Sequence, residues 1–188
     1  MKFILNKFPD DETFIPDERW TPLKEQPNLW IMQLQALPFA IINCVLIDLL
    51  LRLMNITFHF NLATMYIALL VIIPVHEPIH ALFFPEGLNS NKIYFGFIVN
   101  GFAAFAAYIG AMKRNTLIRA LLAPFLLISA AGFIYLLIWG SNNLIEHIIF
   151  FNAVSACVDC LGVYLLLRQV PADAVVKNKK IRTYWMQE

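Results

Sequence analysis

Charge is scarce in this chain. Only 14% of its 188 residues are charged, where a soluble domain carries roughly 25%, and 60% are hydrophobic. That excludes an ordinary soluble globular domain and places most of the length in a bilayer. Cysteine is scarce too: Cys44, Cys157 and Cys160 all fall in apolar runs, which excludes a secreted disulfide framework. Neither sign of charge dominates. The net charge is +1, so the electrostatic footprint of a nucleic-acid binder is missing. No apolar signal core leads the chain, because Asp10, Asp11 and Glu12 follow almost at once. The first spanning helix is therefore expected to serve as an uncleaved anchor. No repeat or low-complexity stretch is found.

What is present is a series of long apolar runs. Spans are expected at about Leu29–Met54, Leu62–Phe84, Leu117–Trp139 and Leu144–Leu167, each long enough to cross. Asp48 and Arg52, at i and i+4, are expected to pair near the far end of the first. Residues 1–28, rich in proline, read as a cytosolic arm. Residues 29–168 form the transmembrane domain, and residues 169–188 a basic cytosolic tail.

The stretch Ile93–Met112 is uncharged and could also span. Asn100-Gly101 at its middle is instead a two-residue hairpin signal with positive φ at both positions. Charge placement decides. If this stretch does not cross, every Lys and Arg except Arg52 falls on the side of the two termini. That satisfies the positive-inside rule, and a crossing would break it. The expected fold is an all-α membrane protein: four transmembrane helices, a membrane-embedded β-hairpin between the second and third, and both termini cytosolic. A multi-pass cell-membrane location follows, in a bacterial inner membrane given the chain's compactness.

Inside the second span stands His76-Glu77-Pro78-Ile79-His80. Two histidines four apart share a helix face one turn from each other. That spacing lets both imidazoles reach one Zn²⁺, with Glu77 free to act as general base. Ionisable groups within a span are expensive and mark function. A catalytic zinc takes a third protein ligand. Asp159 is the only carboxylate deep in the last span, and Asn152, Ser155 and Asp159 lie on one helical face. Depth agrees: at ~1.5 Å per residue the histidines lie roughly 6–12 Å from the cytosolic end and Asp159 roughly 13 Å. Asn152 suits hydrogen bonding to a substrate backbone or a zinc-activated water, and equally suits joining two helices. Cys157 and Cys160 form a C-x-x-C that reads as a redox pair, a thiolate metal site or small packing residues. His59 and His147 sit near outer span ends, as interfacial polar residues do.

The run from His76 to Pro85, the segment Leu122-Ala123-Pro124-Phe125 and the late Asn152–Asp159 stretch resemble a membrane zincin metallopeptidase family, itself similar to the site-2 proteases. Departures are present: Asp159 is followed by Cys160, with glycine only at 162, and Pro78 interrupts the motif. The resemblance implies zinc on His76, His80 and Asp159, Glu77 as base, and a hairpin around Asn100 and Gly101 that presents a strand edge to an unwound substrate. The expected activity is zinc-dependent hydrolysis of peptide bonds in a membrane protein or peptide, with the lipid bilayer as its setting. A non-catalytic metal-binding regulator or scaffold, or a small cation-transporter subunit, is the competing expectation.

Overall fold

Asparagines set the start of most long helices in the computed structural model, which describes residues 1–187. Asn28 caps α1 (Leu29–Leu53), its side chain accepting from the Trp30 and Ile31 amides. Asn61 caps α2 (Leu62–Phe83) through the Thr64 amide. After α3 (Arg114–Trp139), Gly140 at φ +84° turns the chain, and Asn142 caps α4 (Asn143–Ser155). Each cap satisfies amides that a helix start leaves without partners.

Helices α1, α2 and α3 are long and apolar enough to cross a membrane, with mean hydropathies of 2.1, 1.7 and 2.4. Large apolar side chains stand outward along them, among them Ile41, Leu70 and Leu137 at 65%, 74% and 71% exposure. In water these would form an aggregation surface; in lipid they are a satisfied exterior.

The last span is not the single straight helix expected. It breaks at Ala156 into α4 and α5 (Cys157–Gln169), bent by 41°. No proline or glycine marks the break. Ser155 Oγ donates instead to the Phe151 carbonyl at 2.6 Å, a back-bond that bends helices. Gly132 lets α3 approach α4: a Cβ there would lie 2.4 Å from Ile149 Cγ1.

The chain is mostly helical but not all-α. Two small sheets lie beside the helix ends nearest the termini. One has the order β1 (Lys2–Leu5), β3 (Ile93–Ile98), β4 (Ala103–Tyr108). The other has the order β2 (Thr21–Pro22), β7 (Arg182–Met186), β6 (Val175–Lys179), β5 (Met112–Lys113). The arm and the tail are thus built into the fold. They hold each other through Asp11–Lys177 at 2.7 Å, Asp10–Lys180 at 3.6 Å and Lys179 Nζ on the Phe14 carbonyl. The Lys177 ammonium, aided by Thr13, holds the Asp11 carboxyl down at about 2.

An antiparallel hairpin, β3 and β4 paired from Ile93↔Tyr108 to Ile98↔Ala103, lies between α2 and α3 in the chain. Its turn differs from the expected one. Four residues, 99–102, form it as a 3-10 turn, and positive φ falls on Phe102 (45°) rather than on Asn100 and Gly101. Contact with α1 selects this turn. Gly101 is buried under Leu29, where a Cβ would lie 2.2 Å from Leu29 Cδ2, and its carbonyl accepts from Gln33 Nε2 at 2.8 Å. The tip therefore docks on the first two turns of α1. Gly101→Val is expected to destabilise the fold by about 1–3 kcal/mol, the usual cost of overpacking. Thermal melts in detergent check this; an unchanged melting temperature would mean that the tip is not seated on α1.

A labelling experiment tests the arrangement of spans. In a chain lacking Cys44, Cys157 and Cys160, single substitutions Asn91→Cys, Asn115→Cys and Gln187→Cys are expected to react with an impermeant thiol reagent from one side of the membrane. Asn143→Cys is expected to react from the other. Opposite sides for Asn91 and Asn115 would require the hairpin to cross.

Candidate metal centre

His76 and His80 lie on the buried face of α2, at 4% and 5% exposure, with ring centroids 4.9 Å apart. Each ring is oriented by its Nδ1. His80 Nδ1 lies 2.8 Å from the Ala120 carbonyl. Pro124 explains why that carbonyl is available. Proline has no N–H to donate to the residue four before it, so Ala120 lacks its normal helical partner. His80 takes the vacant place. His76 Nδ1 lies 3.1 Å from Asn152 Oδ1, and Asn152 Nδ2 donates to the Pro124 carbonyl at 3.2 Å. Because Pro124 O only accepts, the amide group must face it and the Asn152 oxygen must face His76.

Both Nδ1 atoms therefore face oxygen acceptors and carry the proton. The Nε2 lone pairs of the neutral rings then point at Asp159, where His76 Nε2 is 3.2 Å from Oδ2 and His80 Nε2 is 3.5 Å from Oδ1. One donor atom from each of the three residues lies within 4.8 Å of the others. Three electron-pair donors converge with no proton between them when the rings are neutral, an arrangement that either a metal ion or a proton on one Nε2 relieves. The spacing suits zinc. Tetrahedral bonds of ~2.0–2.1 Å separate ligand atoms by roughly 3.4 Å. The break in the last span makes the convergence possible: α4 brings Asn152 behind His76, and Asp159 sits in the first turn of α5.

Glu77, half-buried, is not part of the converging group. It lines a cavity of about 560 Å³ with His76, His80 and Asp159. That size lies in the range of ligand sites, roughly 300–1,000 Å³. One wall is α1 (Met32, Gln33), the other α2. The two helices pack mainly elsewhere, α1 on α4 and α5, α2 on α3, α4 and β4.

The end of the cavity is β4, from Ala103 to Ala107. Its free edge faces inward. Ile109 N donates to the Lys92 carbonyl at 3.1 Å, continuing the β3–β4 ladder. Antiparallel pairs alternate between bonded and non-bonded, so Ala104 and Ala106 turn their N–H and C=O groups away from β3. The Ala106 amide faces the Glu77 carboxylate.

The other sequence candidates fall elsewhere. Asn100 is exposed at the hairpin tip and Gly101 is covered by α1, and neither lines the cavity; the strand behind them does. Asn152 is fully buried behind His76, its carboxamide engaged by protein at both ends. Cys157 lines the cavity, whereas Cys160 contacts Asn43, which also donates to the Ala153 carbonyl. His147 is fully buried at the opposite end, between the Asn143 carbonyl and the Asn61 amide. The sequence reading missed Ala120 and Pro124 as determinants of His80. The signal was a proline inside a helix, whose i−4 carbonyl must find another donor.

A family model described as "Putative zincin peptidase" matches residues 69–175, which include both histidines, Glu77 and Asp159. No curated protein and no solved structure matches the chain.

Proposed function

The chain belongs to the family of putative zincin peptidases, and from that premise we propose that it is a zinc-dependent metallopeptidase working within or at the membrane. The observation that carries this reading is the convergence of the His76 and His80 lone pairs on Asp159, with both Nδ1 atoms already held by carbonyl oxygens. His76, His80 and Asp159 would hold the zinc, which supplies Lewis acidity toward a scissile carbonyl and acidifies water.

The chain's own groups do the rest. Glu77 accepts the proton of the attacking water and delivers it to the leaving amine. Asn152 and the Ala120 carbonyl keep the two rings in one tautomer and orientation. The substrate reaches the cavity between α1 and α2, which wall it on either side. There the outward N–H and C=O groups of Ala104 and the outward carbonyl of Ala106 pair with the unwound peptide, whose backbone groups lipid could not satisfy. The side bearing the termini is cytosolic, because every Lys and Arg but Arg52 belongs to it.

The test is cleavage of a model transmembrane peptide by purified protein stripped of metal and reloaded. Activity is expected only in the zinc-loaded form, at about one zinc per chain. Full zinc loading with no cleavage of any peptide in a varied panel would favour the regulator or transporter instead.

A further inference from the structure

The metal-site cavity does not end at Asp159. A second space of about 160 Å³ continues toward the side of the termini, and Met32, Val158, Asp159 and Asn178 line both. Most of its wall is apolar. One polar patch stands out, made of Glu25, Asn178 and Thr183. Asn178 and Thr183 are cross-strand partners on β6 and β7. Glu25 reaches them from the segment before α1, its carboxylate accepting from the Thr183 amide and, at 3.4 Å, from the Thr183 hydroxyl. Asn178 Oδ1 is buried and receives no hydrogen bond from any described residue. Buried acceptors are normally paired, and this unpaired one belongs to a side chain that lines the recess. Burial pushes the Glu25 carboxyl up to about 7, and Arg182, itself exposed, is the least of the influences on it. The recess is thus rich in acceptors and poor in cations.

We propose that this recess is a substrate subsite for a basic side chain, the Lys or Arg that flanks a transmembrane segment on its cytosolic side. The proposal rests on the peptidase reading above. A peptide paired along β4, with its reacting bond near the end of α2, leaves the cavity on the side of the termini. Membrane segments carry Lys and Arg on that flank. The apolar wall takes the aliphatic stem, while Glu25 and Asn178 Oδ1 take the charged head.

The experiment measures binding rather than turnover. Zinc-loaded Glu77→Gln protein is titrated with fluorescent transmembrane peptides that differ at one cytosolic flanking position: lysine, norleucine or glutamate. The lysine peptide is expected to bind about tenfold more tightly than the norleucine peptide, a difference of about 1.4 kcal/mol. Glu25→Gln or Asn178→Ala, each added to that protein, is expected to remove most of the preference. Glu25→Lys is expected to turn it toward glutamate. Equal affinities for lysine and norleucine, binding of neither, or a preference that survives Glu25→Gln would overturn the subsite. The peptide comparison needs no change at residue 25, so it decides even if those variants fold poorly. A lysine preference in a protein whose unaltered form cleaves nothing would count against the peptidase alone.

Discussion

Glu77→Gln is expected to lower the rate of peptide hydrolysis by about 10²–10⁴-fold while zinc stays bound. The size follows from what the change removes. Glutamine has nearly the shape of glutamate and can still accept a hydrogen bond from the Ala106 amide that faces residue 77. It cannot accept a proton at any working pH. Glu77 stands outside the convergent group of His76, His80 and Asp159, so zinc content should remain at about one per chain. Proton transfer acts in the transition state, so kcat and kcat/KM should fall together with little change in KM. In free energy this is about 3–6 kcal/mol at 1.36 kcal/mol per tenfold. Single-turnover cleavage of a model transmembrane peptide, with metal analysis of the same sample, is the measurement. An active Glu77→Gln protein would assign the base elsewhere, and the regulator or transporter readings would gain accordingly.

The parts of this site that were legible in the sequence share one property: polarity where lipid forbids it. His76, Glu77 and His80 stand in an apolar run, helical spacing fixes their common face, and Asp159 is the one carboxylate deep in the last span. Three of the four apolar runs form helices long and apolar enough to cross a membrane, and the fourth forms the bent pair α4 and α5. The bend at Ala156 escaped because it comes from a serine back-bond, which any exposed serine in a helix could make or forgo. Beyond the β3–β4 hairpin, the strands escaped because they are two to five residues long and those of the arm pair across great separations, Lys2 with Tyr94 and Thr21 with Trp185. Short strands of mixed polarity carry no periodic signal. The Asn-Gly turn was misread because local preference yielded to packing: Leu29 and Gln33 of α1 fix where Gly101 sits.

Asp159→Ala is expected to empty the site, and Pro124→Ala to weaken it through a residue that touches no metal. Losing Asp159 leaves two neutral imidazoles, too few ligands for a catalytic zinc and without the carboxylate charge that offsets the ion in a poorly solvated cavity. His76→Ala and His80→Ala should act alike. Pro124→Ala works by another route. The new N–H at position 124 restores the helical donor for the Ala120 carbonyl and competes with His80 Nδ1 for it. His80 then loses the bond that fixes its tautomer and points Nε2 at Asp159. Partners of this kind are worth roughly 10–100-fold in metal affinity. Asn152→Leu should cost a similar factor through His76, because Asn152 Oδ1 is what holds His76 Nδ1. Competition for zinc against a chelator of known affinity ranks the set: near-complete loss for Asp159→Ala, an intermediate loss for Pro124→Ala and Asn152→Leu, none for Glu77→Gln. Full retention by Asp159→Ala with loss in Cys157→Ala would move the third ligand to the thiol that lines the same cavity. Full retention by Pro124→Ala would mean that His80 is held by its packing on α3 rather than by the carbonyl that Pro124 sets free.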